Sequence, residues 1–234
     1  MSHYSDMGFE ICSRDDLNNL IKKIADNKFG KPIIYDQNKT QIKEYSFGDI
    51  RYYFMCKKEQ KLQIFDLTFS FFNPQINFSV VLAEILKTNK NEFENINVAK
   101  DGIPFWFHCP NLRVVCPKKF DIINLSISCF ADKVDLLTQE EYNNKVAKDD
   151  LKMAEESYIS FFDHDPTRAW LSGYITNFEK QINPISKKDF YVVDINSMNL
   201  NWRLLIDKKM VDETKLKIGN IACGYFWRTA LIEK

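Results

Sequence analysis

The stretch AWLSGYITNFEKQI, Ala169–Ile182, decides how the fold is read. It is one long extended segment with Gly173 in its interior, and a glycine inside a strand marks a bulge or a sharp bend. Two strong strands follow, Phe190–Ile195 and Leu200–Ile206; in the second, Leu200, Trp202, Leu204 and Ile206 alternate with Asn201, Arg203 and Leu205. A short connection at Lys208–Lys217 leads into a closing extended run, Ile218–Ile232, that contains Gly219 and Gly224. A long bent strand, a hairpin, a short helix and a long closing strand are the order expected of a small OB-like barrel. Such a barrel needs five strands. Four are evident, so either the last run divides at Gly224 or a strand is taken from the preceding part of the chain.

Working backwards, Phe162–Arg168 concentrates turn chemistry in Asp163, His164, Asp165 and Pro166 and marks a boundary. The chain therefore divides into an N-terminal unit, 1–162, and an OB-like unit, 163–234. The N-terminal unit opens with a helix over Ser13–Lys28, capped by Ser13, with Leu17, Leu20, Ile21 and Ile24 at helical spacing. The period then changes to two, with strands expected at Pro32–Asp36, Gln41–Ser46, Asp49–Lys57, Lys61–Phe72, Phe78–Leu86, Ile96–Val98, Ile103–His108 and Phe120–Phe130. These read as one continuous antiparallel sheet. Thr138 and Glu141 form a capping-box pattern that starts a polar helix reaching about Met153. The fold class is thus α+β and mostly antiparallel β, a sheet domain with a leading helix followed by the small barrel. No internal repeat is visible.

Composition bounds the function. Of 234 residues 45% are hydrophobic and 27% charged, with 32 Lys+Arg balanced by 32 Asp+Glu and only 7 Gly and 7 Pro, which excludes a disordered or collagen-like chain. A balanced charge gives no whole-surface attraction to nucleic acid or anionic lipid. No stretch approaches the roughly 18 apolar residues of a membrane helix, and Met1–Gly8 lacks the basic and apolar regions of a signal peptide, so a cytoplasmic setting without membrane contact is expected. Six cysteines without a C-x-x-C pair read as reduced thiols.

Trp170-Leu-Ser-Gly173-Tyr-Ile, Asn183, Phe190-Tyr-Val-Val, Ile218-Gly219 and Gly224-Tyr-Phe-Trp227 together resemble the C-terminal signature of a family of low-GC bacterial proteins of unknown function. The resemblance spans about half the chain, through motifs of a structural kind. It implies an OB-like C-terminal domain and a bacterial cytoplasmic setting, and no activity.

Residue chemistry offers few sites. His108, Cys109 and Cys116 have zinc-ligand chemistry but a non-standard spacing, and neighbouring strand residues point to opposite faces, so no metal is expected. Asp163, His164 and Asp165 set two carboxylates around an imidazole, in an order that an Asx-turn linker also demands. No nucleophile elbow, phosphate-binding loop, zinc-protease helix or dinucleotide fingerprint occurs, and neither a catalytic residue nor a cofactor is assigned. Trp170, Tyr174, Arg203, Tyr225 and Trp227 are the candidate ligand-binding residues, together with Trp202, whose alternation points inward to a core role. Lys187, Lys188, Lys208 and Lys209 would supply charge beside them. Three functions stay open: a non-catalytic binding protein that recognises another protein, an OB-type binder of single-stranded nucleic acid or oligosaccharide, and an enzyme whose site leaves no trace in spacing.

Overall fold

The computed structural model describes residues 5–9, 11–25, 32–37, 40–57, 64–71, 77–86, 92–148, 155–160 and 165–233. The chain is mostly β, with few helices and with antiparallel and mixed sheets. It forms two compact units, Leu17–Ser128 with Thr229–Lys234, and Met1–Asp16 with Cys129–Arg228. The 162/163 boundary drawn from the sequence falls outside the described residues.

The leading helix α1 (Arg14–Ala25) starts where Ser13 caps it. Ser13 Oγ accepts the Asp16 N–H at 3.1 Å, and the Asp16 carboxylate accepts the Ser13 N–H at 2.9 Å. Strands β1 (Ile33–Gln37), β2 (Thr40–Phe47), β3 (Ile50–Lys57) and β4 (Ile64–Phe71) follow as an antiparallel meander. The sequence puts Thr68 and Ser70 off the apolar face of β4, yet both are buried. Ser70 Oγ lies 3.2 Å from Ser128 Oγ and 2.9 Å from Thr229 Oγ1, which are 2.8 Å from each other, so the three hydroxyls satisfy one another without water. The expected single sheet ends at β4. Among the described residues all later strands belong to a second sheet, of nine strands.

That second sheet is built by one pattern used twice. Its first set is β5 (Asn77–Leu86), β6 (Glu94–Lys100), β7 (Ile103–Cys109), the short helix α2 (Leu112–Val115) and the long strand β8 (Ile122–Leu137). After α3 (Gln139–Lys148) and β9 (Ser157–Ser160) comes the second set: β10 (Arg168–Ile182), β11 (Asp189–Ser197), β12 (Leu200–Asp207), a one-turn 3-10 helix (Lys208–Met210) and the long strand β13 (Ile221–Ile232). The first strand of each set is bulged, β5 at Ala83 and β10 at Thr176. The second and third strands are joined in each by a two-residue turn with both residues at positive φ, Asp101-Gly102 and Met198-Asn199, the turn whose twist matches a hairpin.

The long strands do double duty. β8 pairs antiparallel with β5 and then parallel with β12 at Cys129↔Leu204, while β13 pairs antiparallel with β10 and then parallel with β7 at Thr229↔His108. Since β8 and β13 also pair, each unit holds a closed circuit of five strands: β5-β6-β7-β13-β8 in one and β10-β11-β12-β8-β13 in the other. The strand beside β12 is β8, from the preceding part of the chain, and β13 does not divide at Gly224. It runs through because a Cβ there would sit 2.0 Å from the Lys133 carbonyl oxygen, so only glycine admits the neighbouring backbone. Gly173 serves the same end, its Cβ position lying 2.3 Å from the Asn196 carbonyl oxygen, and the bulge expected there falls at Thr176.

Inside the unit that contains β10–β12, Trp202 is fully buried and stacks on Tyr158 at 6.0 Å and 14°. Arg228, also fully buried, lies over the Tyr158 ring at 4.9 Å and donates to the Thr167 carbonyl at 3.0 Å and the Pro166 carbonyl at 2.7 Å. Carbonyl acceptors and a π face replace the water its charge would otherwise require.

Gly224→Ala is expected to destabilise the protein by about 3 kcal/mol in urea unfolding, because the clash is with backbone. Gly102→Asn, at a left-handed turn position with open space around it, should cost less than about 1 kcal/mol in the same measurement.

Candidate functional site

Strand alternation sorts the β10 side chains. Ala169, Leu171 and Ile175 are buried to 1% or less and face inward, while Trp170, Ser172 and Tyr174 take the opposite face. Their β13 partners are Tyr225, Cys223 and Ile221, and Arg168 pairs with Trp227 one row earlier. Four of the five candidate residues, Trp170, Tyr174, Tyr225 and Trp227, therefore lie on one outer face in neighbouring rows.

The rows differ in cover. Helix α3 begins with the expected capping box, Thr138 Oγ1 accepting the Glu141 N–H at 3.2 Å and Glu141 accepting the Thr138 N–H at 3.0 Å. That start delivers Tyr142, which is buried with Ile221 and Cys223, hydrogen-bonds Ser172, and is flanked by the partly buried Trp170 and Tyr174. One row on, the face opens. Trp170 and Tyr225 meet edge to face with centroids 5.0 Å apart, and β9 adds Ile159 directly opposite Trp170. Tyr225 is 43% exposed and Ile159 42%, so a three-strand row of large apolar side chains reaches solvent. Trp227 leans on Phe130 at 5.5 Å. The Trp170 indole N–H is buried with no acceptor among the described residues.

Charges of both signs border this face, Lys133, Asp135 and Lys145 lying near Cys223 and Glu155 and Glu156 near Tyr174. Burial and then Glu155 and Glu156 hold the Tyr174 phenol above its usual range. Arg168 is engaged by Asp132 and Asp165. Asp165 also accepts the Thr167 N–H at 3.0 Å, the Asx turn expected of it, while Asp163 and His164 lie outside the described residues.

The remaining candidates sit apart. Arg203 is buried on β12 in a two-point ion pair with Asp194 at 2.7 and 2.8 Å, and Trp202 faces the interior. His108 Nδ1 contacts Asn95 Oδ1 at 3.1 Å, Cys109 is buried beside Asn111, and the exposed Cys116 thiol donates to the Arg113 carbonyl at 2.9 Å. Among the described residues no three His, Cys, Asp or Glu side chains are grouped to hold a metal ion. Burial raises the Cys129 thiol to about 12 and the Cys223 thiol to about 11, too high for a nucleophile at neutral pH. The lysines named with the aromatics line a cavity elsewhere in the same unit, at the opposite end of β10. Sequence reasoning missed Ile159, because a strand of four residues presents too short an alternation to register.

One titratable group stands out for its burial. Asp6, 1% exposed, accepts the Asp207 N–H, and desolvation, reinforced by Asp207 and Asp132, pushes its carboxyl up to about 9. Below pH about 4 folded and unfolded chains both carry that proton; between there and about 9 the folded chain keeps a proton the unfolded chain has released, so stability falls as pH rises. The melting temperature of the wild type should drop from pH 5 to pH 9, and Asp6→Asn should flatten that slope. Compared with known proteins, the chain matches no family model and no curated sequence.

Proposed function

We propose that the protein is a non-catalytic binding protein and that its partner is another protein, held on the outer face of β9, β10 and β13. The observation that carries this reading is the half-exposed row of Ile159, Trp170 and Tyr225 across three strands. Trp and Tyr are the side chains that most often anchor protein interfaces, since they bury large area at low entropic cost. Glu155 and Glu156 make the Tyr174 end of the rim acidic, which suits a partner presenting basic residues there and opposes a phosphate backbone at that end. Cytoplasmic action belongs to the same reading, in keeping with six free cysteines.

A second reading rests on strand order. In the circuit β10-β11-β12-β8-β13, β12 meets β8 in parallel, β13 meets β10 antiparallel, and a helical turn lies between β12 and β13 in the chain. We take this, and its counterpart built on β5–β7, as an OB-like barrel, a fold whose second and third strands bind oligonucleotides and oligosaccharides. The positions on that face, Val192, Asp194, Arg203 and Leu205, are buried, which favours the protein partner over the oligomer.

The test is affinity capture from lysate with the wild type beside Tyr225→Ala and Trp170→Ala/Tyr225→Ala, each first checked for native circular dichroism. A partner retained at stoichiometric level by the wild type should be weakened about 30-fold or more by each variant, the loss of roughly 2 kcal/mol expected of an anchor residue. No stoichiometric partner, or one held equally by all three proteins, overturns the proposal. So does salt-dependent binding of a mixed-sequence single-stranded oligonucleotide that the same substitutions abolish.

A further inference from the structure

We infer that the unit containing β5–β7 carries a binding site for a small, uncharged, hydroxyl-rich molecule, a polyol of single-sugar size. The site shares no residue with the aromatic face and does not rest on the partner reading.

The site is a cavity of about 340 Å³ lined by side chains of β1, β2 and β3, by the start of α2 and by the end of β13. Antiparallel register sets Glu44 of β2 directly opposite Tyr53 of β3, so the two share a face of the sheet. Tyr35 reaches the same place from β1, where its phenol donates to Glu44 Oε2 at 3.2 Å. Tyr53 is buried in a cluster with Ile42, Met55 and Leu231, against which Tyr35 and Val114 also pack, so both rings stand on an apolar footing. The far wall is fixed by Asn111. Its side-chain amide donates to the Ile232 carbonyl at 2.8 Å and its Oδ1 accepts the Ile232 N–H at 3.0 Å, which ties the start of α2 to the end of β13.

The Tyr53 hydroxyl decides the ligand. Tyr53 is 2% exposed and makes no side-chain hydrogen bond to a described residue. Burial, and then Glu44, raise its phenol above the ordinary range, while Arg51 and Tyr35 act on it less strongly. These three neighbours are themselves cavity-lining side chains, so the hydroxyl faces the cavity, and it does so as a protonated donor that a ligand oxygen would match. The charges beside it are already engaged: Glu44 and Arg51 face each other at 3.8 Å, and Arg51 Nη1 donates to the Gly48 carbonyl. The cavity therefore calls for no counter-ion. An ionised carboxylate still offers about four acceptor positions, and the Tyr35 hydrogen bond fills one of those on Glu44. An atom placed between Tyr53 and Glu44 must accept from the first and donate to the second, which a hydroxyl does, whereas a carbonyl only accepts and an ammonium only donates. An anionic ligand would also meet the carboxylates of Glu44 and Glu233, and a cationic one the guanidinium of Arg51. The volume is at the lower end for small-molecule pockets, which suits one ring rather than a chain of them.

The experiment is a saturation-transfer NMR titration of the full chain with glucose, galactose, mannose, ribose and myo-inositol, and with gluconate and glucosamine as charged counterparts of glucose. Saturable binding of at least one neutral probe, ten-fold or more tighter than either charged one, is expected. Tyr53→Phe should weaken that binding ten-fold or more and leave the melting temperature unchanged or raised, since it deletes a hydroxyl that has no partner among the described residues. Glu44→Gln should also weaken it, whereas Lys22→Ala/Lys23→Ala on α1 should not change it. Absence of saturable binding of every neutral probe at tens of millimolar, tighter binding of gluconate or glucosamine, or binding indifferent to Tyr53→Phe overturns the proposal. A clear fall in the melting temperature of Tyr53→Phe overturns it too, because the hydroxyl would then be serving the fold. Any of these results leaves the partner test at Trp170 and Tyr225 unaffected.

Discussion

Backbone groups on the edge of a strand must be paired, and in this protein the edges of β12 and β7 are met by strands from the other set. A three-strand hairpin sheet that curls on itself leaves the far side of its third strand unsatisfied, which costs free energy for each buried N–H or carbonyl. β8 meets β12 and β13 meets β7, in parallel in both cases. Parallel pairing between distant segments must close a large loop of chain before any bond forms, an entropic cost that the local hairpins do not carry. Much else is arranged to let the long strands through. Gly224 admits the Lys133 carbonyl, and Ser70, Ser128 and Thr229 join hydroxyls where a larger or purely apolar side chain would leave polar atoms unmatched.

The same requirement explains the interior of the unit around β10. Once β10, β13 and β9 run side by side, the inward positions opposite Leu171 are Gly224 and Tyr158, one with no side chain and one with a large ring. Trp202 and Arg228 fill the space left, one stacked on each side of the ring's chemistry: a flat aromatic partner for the indole, and an electron-rich face with a hydroxyl for the guanidinium. The described partners of Arg228 are two backbone carbonyls, a ring face and a hydroxyl. Arg203 takes the other solution, with Asp194 opposite it in register across β11 and β12.

Nearly every strand was legible, because period-two alternation and turn residues are local signals. What was hidden depends on contacts that leave none. The capping motifs at Ser13 and Thr138 could be read directly, since each is completed within three residues. The extension of β8 past Phe130 was obscured by Asp132, Lys133 and Asp135, whose charges interrupt the apolar run although the backbone stays extended. The turn at Met198-Asn199 lacks the glycine that advertises Asp101-Gly102, so the likeness of the two sets is carried by φ angles and pairing rather than by shared residues. For the candidate site, parity alone put Trp170 and Tyr174 on one face, and only the register of β10 against β13 added Tyr225 and Trp227 to it. Arg203 was separated from them by its ion pair, which no spacing reveals.

β10 runs from the aromatic row at one end to the turn held by Asn183 at the other. Twelve residues separate Trp170 from Ile182, which at about 3.3 Å per residue is up to roughly 40 Å of strand before the bulge at Thr176 shortens it. Beyond Ile175, whose backbone still bonds Gly219 and Asn220, the strand is paired only to β11 among the described residues, and its side chains from Thr176 to Lys180 are exposed on both faces. The aromatic row thus rests on a backbone hydrogen-bonded on both edges, through β9 and β13, whereas the β10–β11 turn is held by Asn183, whose side-chain amide donates to the Met7 carbonyl. A partner docked on the row meets a surface set by the core.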